Sequence, residues 1–122
     1  VSAAAVVALT ADATLVVLDG RIGPAEVDEV RAALALAGDP PARRFIVDCT
    51  AATIDDPEAL AALYDLAGIA RARDGVVAVA TGRESALRRV LEASGLDAAF
   101  TLYDRRSRAL DDLDLPDPGP TR

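Results

Sequence analysis

The stretch Arg44–Leu66, RFIVDCTAATIDDPEALAALYDL, decides how this chain folds. Its first part, RFIVDCT, is a run of aliphatic and β-branched residues that predicts a strand over 44–50. Its second part opens on Asp56 and Pro57. An aspartate can accept orphan amide hydrogens at a helix start, and a proline at the first helical position sacrifices no helical hydrogen bond. The pattern predicts a helix from about Pro57 to Arg73, with Leu60, Leu63, Tyr64 and Ala67 on one face. Arg71 and Arg73 sit near its negative end, and Asp74 and Gly75 stop it.

Working outward, further strand-like runs occur at 5–10 (VVALT after Ala5), 14–20 (TLVVLDG), 75–81 (GVVAVAT) and 100–103 (FTLY). Only Ala11 and Asp12 separate the first two, which predicts a hairpin. The later strands are separated by helical patterns long enough to be crossovers in a largely parallel sheet. The expected fold class is therefore α/β, a mixed, largely parallel sheet packed with helices in the order ββαβαβαβα.

The first helix is expected at GPAEVDEV, with Gly23 as N-cap, Pro24 in the first turn and Val27, Val30 and Leu34 as the buried stripe. Gly38 and Pro40 end it. The third opens at TGRE, where Thr81 and Glu84 have capping-box spacing, buries Leu87, Val90 and Leu91, and closes at Gly95. Asp104 is the expected cap of a short last helix carrying Ala109, Leu110 and Leu113. Residues 114–122 read as a flexible tail rich in Pro and Asp, leaving 1–113 as one domain.

Composition narrows the chemistry. The chain has 122 residues, a formal charge of −7, and thirteen basic residues that are all arginine. It contains no His, Lys, Met, Trp, Asn or Gln. There is then no imidazole base, no Ser-His or Cys-His pair, no usual zinc ligand set and no lysine for a Schiff base or P-loop. Cys49 is alone, so it forms no internal disulfide, and its apolar surroundings predict a buried, inert thiol that fits a reducing cytoplasm. No run approaches the roughly 20 apolar residues of a membrane span. An acidic chain with four aromatic residues lacks the footprint of a nucleic-acid binder. No metal, cofactor, nucleic acid or membrane is expected.

The acidic cluster Asp55, Asp56 and Glu58 could in principle do acid/base or metal work. Asp55 and Asp56 are adjacent, however, and adjacent residues of an extended segment point in different directions. Capping accounts for Asp56, and Glu58 in the first helical turn gains roughly 0.3 to 1 kcal/mol from the helix dipole. A response-regulator receiver, which also uses acidic pairs, needs a lysine that this chain lacks.

Taken together, VVLDGRIGPAEVDEVRAAL (16–34), the 44–66 stretch and RRVLEASGLDAAFTLYDRRSRAL (88–110) resemble a STAS domain, the family of bacterial anti-sigma factor antagonists. The likeness covers roughly residues 5–113 and rests on LDGRI, IVDCT, the ID before the second helix and LEASGLDAAFTLY. It implies a non-catalytic role in which the domain docks on an anti-sigma factor, often a serine kinase, or on another STAS-binding regulator, as a monomer or weak homodimer.

In that family the segment before the second helix usually reads Asp-Ser-Ser-Gly-Leu. The aligned residues here are Asp56, Pro57, Glu58, Ala59 and Leu60, so Glu58 falls where phosphate is usually attached. Glu58 offers about one negative charge against −1.5 to −2 for phosphoserine. Ala59 replaces a glycine, and Gly23 lies where the family often has an aspartate. The implied partner surface is Gly23, Asp55, Asp56, Pro57, Glu58, Ala59, Leu60 and Leu63. Thr50 and Thr53 are the nearby substitute phosphosites, although strand-end hydroxyls usually hydrogen-bond locally. Ser85 and Ser94 read as parts of a polar helix face. The alternative role is a sensory or regulatory STAS unit of a transporter-associated or stressosome-like assembly, with a nucleotide or lipid as its ligand; the lack of a glycine-rich phosphate loop argues against a nucleotide.

Overall fold

The computed structural model describes residues 3–39, 41–54 and 56–119. The elements run β1 (Ala4–Thr10), β2 (Ala13–Ile22), α1 (Val27–Gly38), β3 (Arg44–Ile54), α2 (Pro57–Ala72), β4 (Val76–Ala80) and α3 (Ala86–Ser94). A 3₁₀ turn (Leu96–Ala99), β5 (Thr101–Tyr103) and α4 (Arg106–Asp112) complete the chain. The strands form one sheet in chain order, β1 antiparallel to β2 and every later pair parallel. The ββαβαβαβα order and the Ala11–Asp12 hairpin are both present.

Alternation along the strands divides the side chains between two layers. Val16, Leu18, Phe45, Val47, Cys49, Val77 and Val79 face the larger core, closed by α1, α2 and α3. Leu15, Ile46 and Ala78 face a smaller one, closed by Ala109 and Leu110 of α4. With helices on both sides, the middle strands carry no polar face, and this is why β3 reads as an almost unbroken apolar run.

Several boundaries differ from the sequence reading. Gly23 is not the cap of α1: its carbonyl accepts the Glu26 amide at 3.0 Å in a tight turn, and the helix begins only at Val27. Pro40 lies outside the described residues. On α2 the buried side is Ala59, Ala62, Leu63, Leu66, Ala67 and Ala70, while Tyr64 is exposed. The stripe is hard to phase because this helix is apolar nearly all round, and small alanines fill the positions that meet the sheet. On α3 the cap is Ser85, which accepts the Arg88 amide at 3.0 Å, with Thr81 hydrogen-bonded to the Ser85 hydroxyl at 2.6 Å. Val90 is exposed there. Asp104 does not cap α4, because both its oxygens are taken by Arg83 and Arg88. Leu115, counted with the tail, is buried in the smaller core, and its amide bonds the Leu110 carbonyl at 2.9 Å.

Two joints fix how the sheet is built. Gly75 passes so close to β3 that a Cβ there would lie 1.8 Å from the Arg43 carbonyl oxygen. Only glycine fits where one backbone approaches another this closely. Just before it, Asp74 takes a left-handed conformation (φ 55°). Its amide bonds the Arg71 carbonyl and the Gly75 amide bonds the Ala70 carbonyl, forming a Schellman cap on α2.

The second joint is a bulge between β2 and β3. Val17 pairs with Asp48 and Asp19 pairs with Ala51, so β3 carries an extra residue at this point. The Asp48 carboxylate holds it, accepting the Thr50 amide at 3.0 Å and the Thr50 hydroxyl at 2.6 Å through one oxygen. Its other oxygen lies 3.6 Å from Arg106 of α4. Asp48 is also the last residue of β3 paired with β4. Beyond it, β3 continues to Ile54 paired with β2 alone.

Candidate functional site

The parallel strands β2 to β5 all end on one edge of the sheet, where open α/β folds place their binding loops. The β2–β3 ribbon projects past the ends of β4 and β5 and carries two loops: Gly23–Glu26 leading into α1, and the short link through Asp56 into α2.

At the α2 start the expected cap is in place. Asp56 has an extended backbone, and its carboxylate accepts the Glu58 amide at 2.8 Å. Pro57 follows at the first helical position and is exposed. The Glu58 carboxylate is 69% exposed and lies 3.4 Å from the Arg31 guanidinium on α1. Exposed pairs of this kind contribute about 0 to 1 kcal/mol, so the contact orients Glu58 more than it stabilises the fold. It also links the two helices that flank the edge.

The remaining predicted residues divide by burial. Leu60 is half-buried against the larger core and Gly23 is buried in its turn. Ala59 and Leu63 are each 1% exposed, so their side chains support the surface from beneath and do not form it. Tyr64, one turn after Leu60 and 43% exposed, takes the outward position expected of Leu63. Asp55 lies outside the described residues. Thr50 and Thr53 are exposed on β3, with the Thr50 hydroxyl engaged by Asp48.

Three residues of this region escaped the sequence reading. Asp48 was legible as a lone acid inside FIVDC. Nothing in the sequence signals Arg31, which reaches Glu58 only once α1 and α2 pack side by side. Glu26, which precedes α1, has a buried carboxylate oxygen with no hydrogen-bond partner among the described residues. Cys49, next to Asp48, is buried, and loss of hydration followed by the Asp48 charge pushes its thiol up to about 12, so it is inert at neutral pH. Among the described residues, no group of three or more His, Cys, Asp or Glu could hold a metal ion. No described helix is long and apolar enough to cross a membrane.

A mixed sheet in this order, with a capped helix start and a neighbouring turn at the edge where its parallel strands end, defines the class of fold as a mixed α/β domain. The sequence profile described as "Mlab, STAS domain" matches residues 5–104, and the chain belongs to the STAS domain family. No curated protein matches it by sequence.

Several solved structures share its fold, and three of them illustrate the likeness. An anti-sigma factor antagonist from Mycobacterium paratuberculosis superposes with a TM-score of 0.77 at 19% identity, over 91% of this chain and 92% of that one. The anti-sigma factor antagonist SpoIIAA in its unphosphorylated form gives 0.73 at 15% identity, over 92% and 98%. The Bacillus cell fate determinant SpoIIAA in the phosphorylated form gives 0.69 at 18% identity, over 91% and 99%.

Proposed function

We propose that this domain is a non-catalytic partner-switching component of the anti-sigma factor antagonist type, docking on its regulator through the α2 start and the turn before α1. The regulator is an anti-sigma factor, in the simplest case one of the serine kinase class. The contact surface consists of Asp56, Pro57, Glu58, Leu60 and Tyr64, with Gly23 shaping the adjoining turn.

The observation that carries this reading is the state of Glu58. It stands in the first turn of α2, exposed, with its backbone amide already engaged by Asp56 and its carboxylate directed toward Arg31. A carboxylate at this position cannot accept phosphate, so the negative charge that phosphorylation installs and removes elsewhere is here permanent. Binding then responds to the partner's own state or abundance and not to a phosphate on this chain. The local hydroxyls support this: Thr50 already donates to Asp48, and a phosphate on it would be pressed against that carboxylate.

Incubating the domain with ATP and an anti-sigma factor serine kinase, followed by intact-mass and peptide mass spectrometry, tests the reading. The wild-type chain is expected to remain unmodified and Glu58→Ser to gain one phosphate at position 58. Phosphate on Thr50 or Thr53 of the wild type would overturn it.

A further inference from the structure

At the far end of the same edge, where β5 turns into α4, the charge reverses. Residues 83–108 hold six arginines against four acids in a chain whose formal charge is −7. Asp104 organises them: Arg83 donates to one of its oxygens through Nε at 2.7 Å, and Arg88 donates to the other at 3.1 Å. Those hydrogen bonds hold the Asp104 carboxyl below the ordinary aspartate value, so it stays ionised and keeps both arginines in place. Because Arg83 is bound through Nε, its terminal nitrogens are left to meet another acceptor.

Beside it, Arg105 and Arg108 make no hydrogen bond or ion pair among the described residues. Together with Arg83, Leu102, Tyr103 and Asp104 they line a pocket of about 230 Å³. Burial, followed by the neighbouring Asp112 carboxylate, raises the Tyr103 hydroxyl above its ordinary value, so it stays protonated as part of the lining. Three like charges facing one cavity repel one another and gain most from an anion with several acceptor oxygens.

The cavity's size and lining select the ligand. Sites for drug-sized or nucleotide-sized molecules span about 300 to 1,000 Å³ and are mostly apolar. This one is smaller, and three of its six lining residues are arginines. We propose that it binds a phosphoryl dianion, held by Arg83, Arg105 and Arg108. A small phosphomonoester and a phosphorylated side chain present that same group. The pocket is separate from the α2 start, so the proposal stands or falls independently of the function assigned to Glu58.

Isothermal titration calorimetry on the full chain in chloride buffer tests it, with inorganic phosphate, phenyl phosphate, and a phosphoserine peptide beside its unphosphorylated parent. Saturable one-to-one binding of phosphate is expected, weakened at least about tenfold by Arg105→Ala combined with Arg108→Ala. Both side chains are exposed and unpaired, so this variant keeps its fold, as circular dichroism will verify. Arg71→Ala, at the other end of the sheet, should bind like wild type. Tighter binding of the phosphopeptide than of phenyl phosphate identifies a protein-borne group as the source, and the reverse identifies a small ester. Absence of saturable phosphate binding, or equal binding by the double variant, would overturn the proposal.

Discussion

The two halves of β3 are built under different rules. Residues 44–48 lie between β2 and β4, with helices over both faces, and Phe45, Ile46 and Val47 are fully buried. Residues 49–54 pair with β2 alone, and Thr50, Ala51 and Thr53 are exposed. The first half provides stability. The second, set off by the bulge at Asp48, is a projecting arm from which the two loops of the candidate surface lead off. Binding elements are generally drawn from such less protected parts of a fold, because their backbone is free to meet a partner.

The most damaging way to break this contrast is at the seam of the first half. Gly75→Ala forces a methyl group into the Arg43 carbonyl, and the β3–β4 pairing must separate. Destabilisation of about 3 kcal/mol or more is expected, measured from the urea midpoint. Asp48→Ala comes next, at about 2 to 3 kcal/mol, because it strips a largely buried ion pair and releases the bulge. Its signature is spatial. Amide exchange should accelerate across Asp19–Ile22 and Ala51–Ile54 while Ile46 and Val47 stay protected, and equal acceleration in both halves would refute the division.

Asp56→Ala removes the α2 cap and should cost about 1 kcal/mol, with local fraying at the helix start. The smallest effect is a gain. Asp74→Gly relieves a left-handed conformation at the far end of α2 and should stabilise the fold by about 0.5 kcal/mol, read as a small rise in Tm, without changing the arm.

The first half of β3 was the more legible in sequence. A run of β-branched and aliphatic residues with a short hairpin before it and helical spacers after it admits few topologies, and the observed order follows. The arm was legible at Asp56 and Pro57, because a helix cap is a local event between residues two apart. What escaped notice depends on distant elements. The bulge comes from register between β2 and β3, and the Glu58–Arg31 contact from the packing of α1 on α2. Gly23 looked like a cap because Gly-Pro is a frequent helix opening, yet a tight turn delays α1 to Val27. The outward place went to Tyr64 in preference to Leu63, because an alanine-rich helix gives hydropathy little contrast by which to phase it.

The central proposal is that Glu58 gives the arm a fixed charge at the position where the STAS resemblance implies a phosphorylated serine. Titrating an anti-sigma factor serine kinase with the wild-type chain and with Glu58→Ser, before and after ATP, tests it most directly. The account predicts that ATP leaves the wild-type chain unmodified and its affinity unchanged, whereas phosphorylation of the variant weakens its binding at least about tenfold, in line with one or two charge-assisted contacts. Wild-type affinity that falls with phosphate attached to the chain, or a variant that becomes phosphorylated and binds no differently, would contradict it.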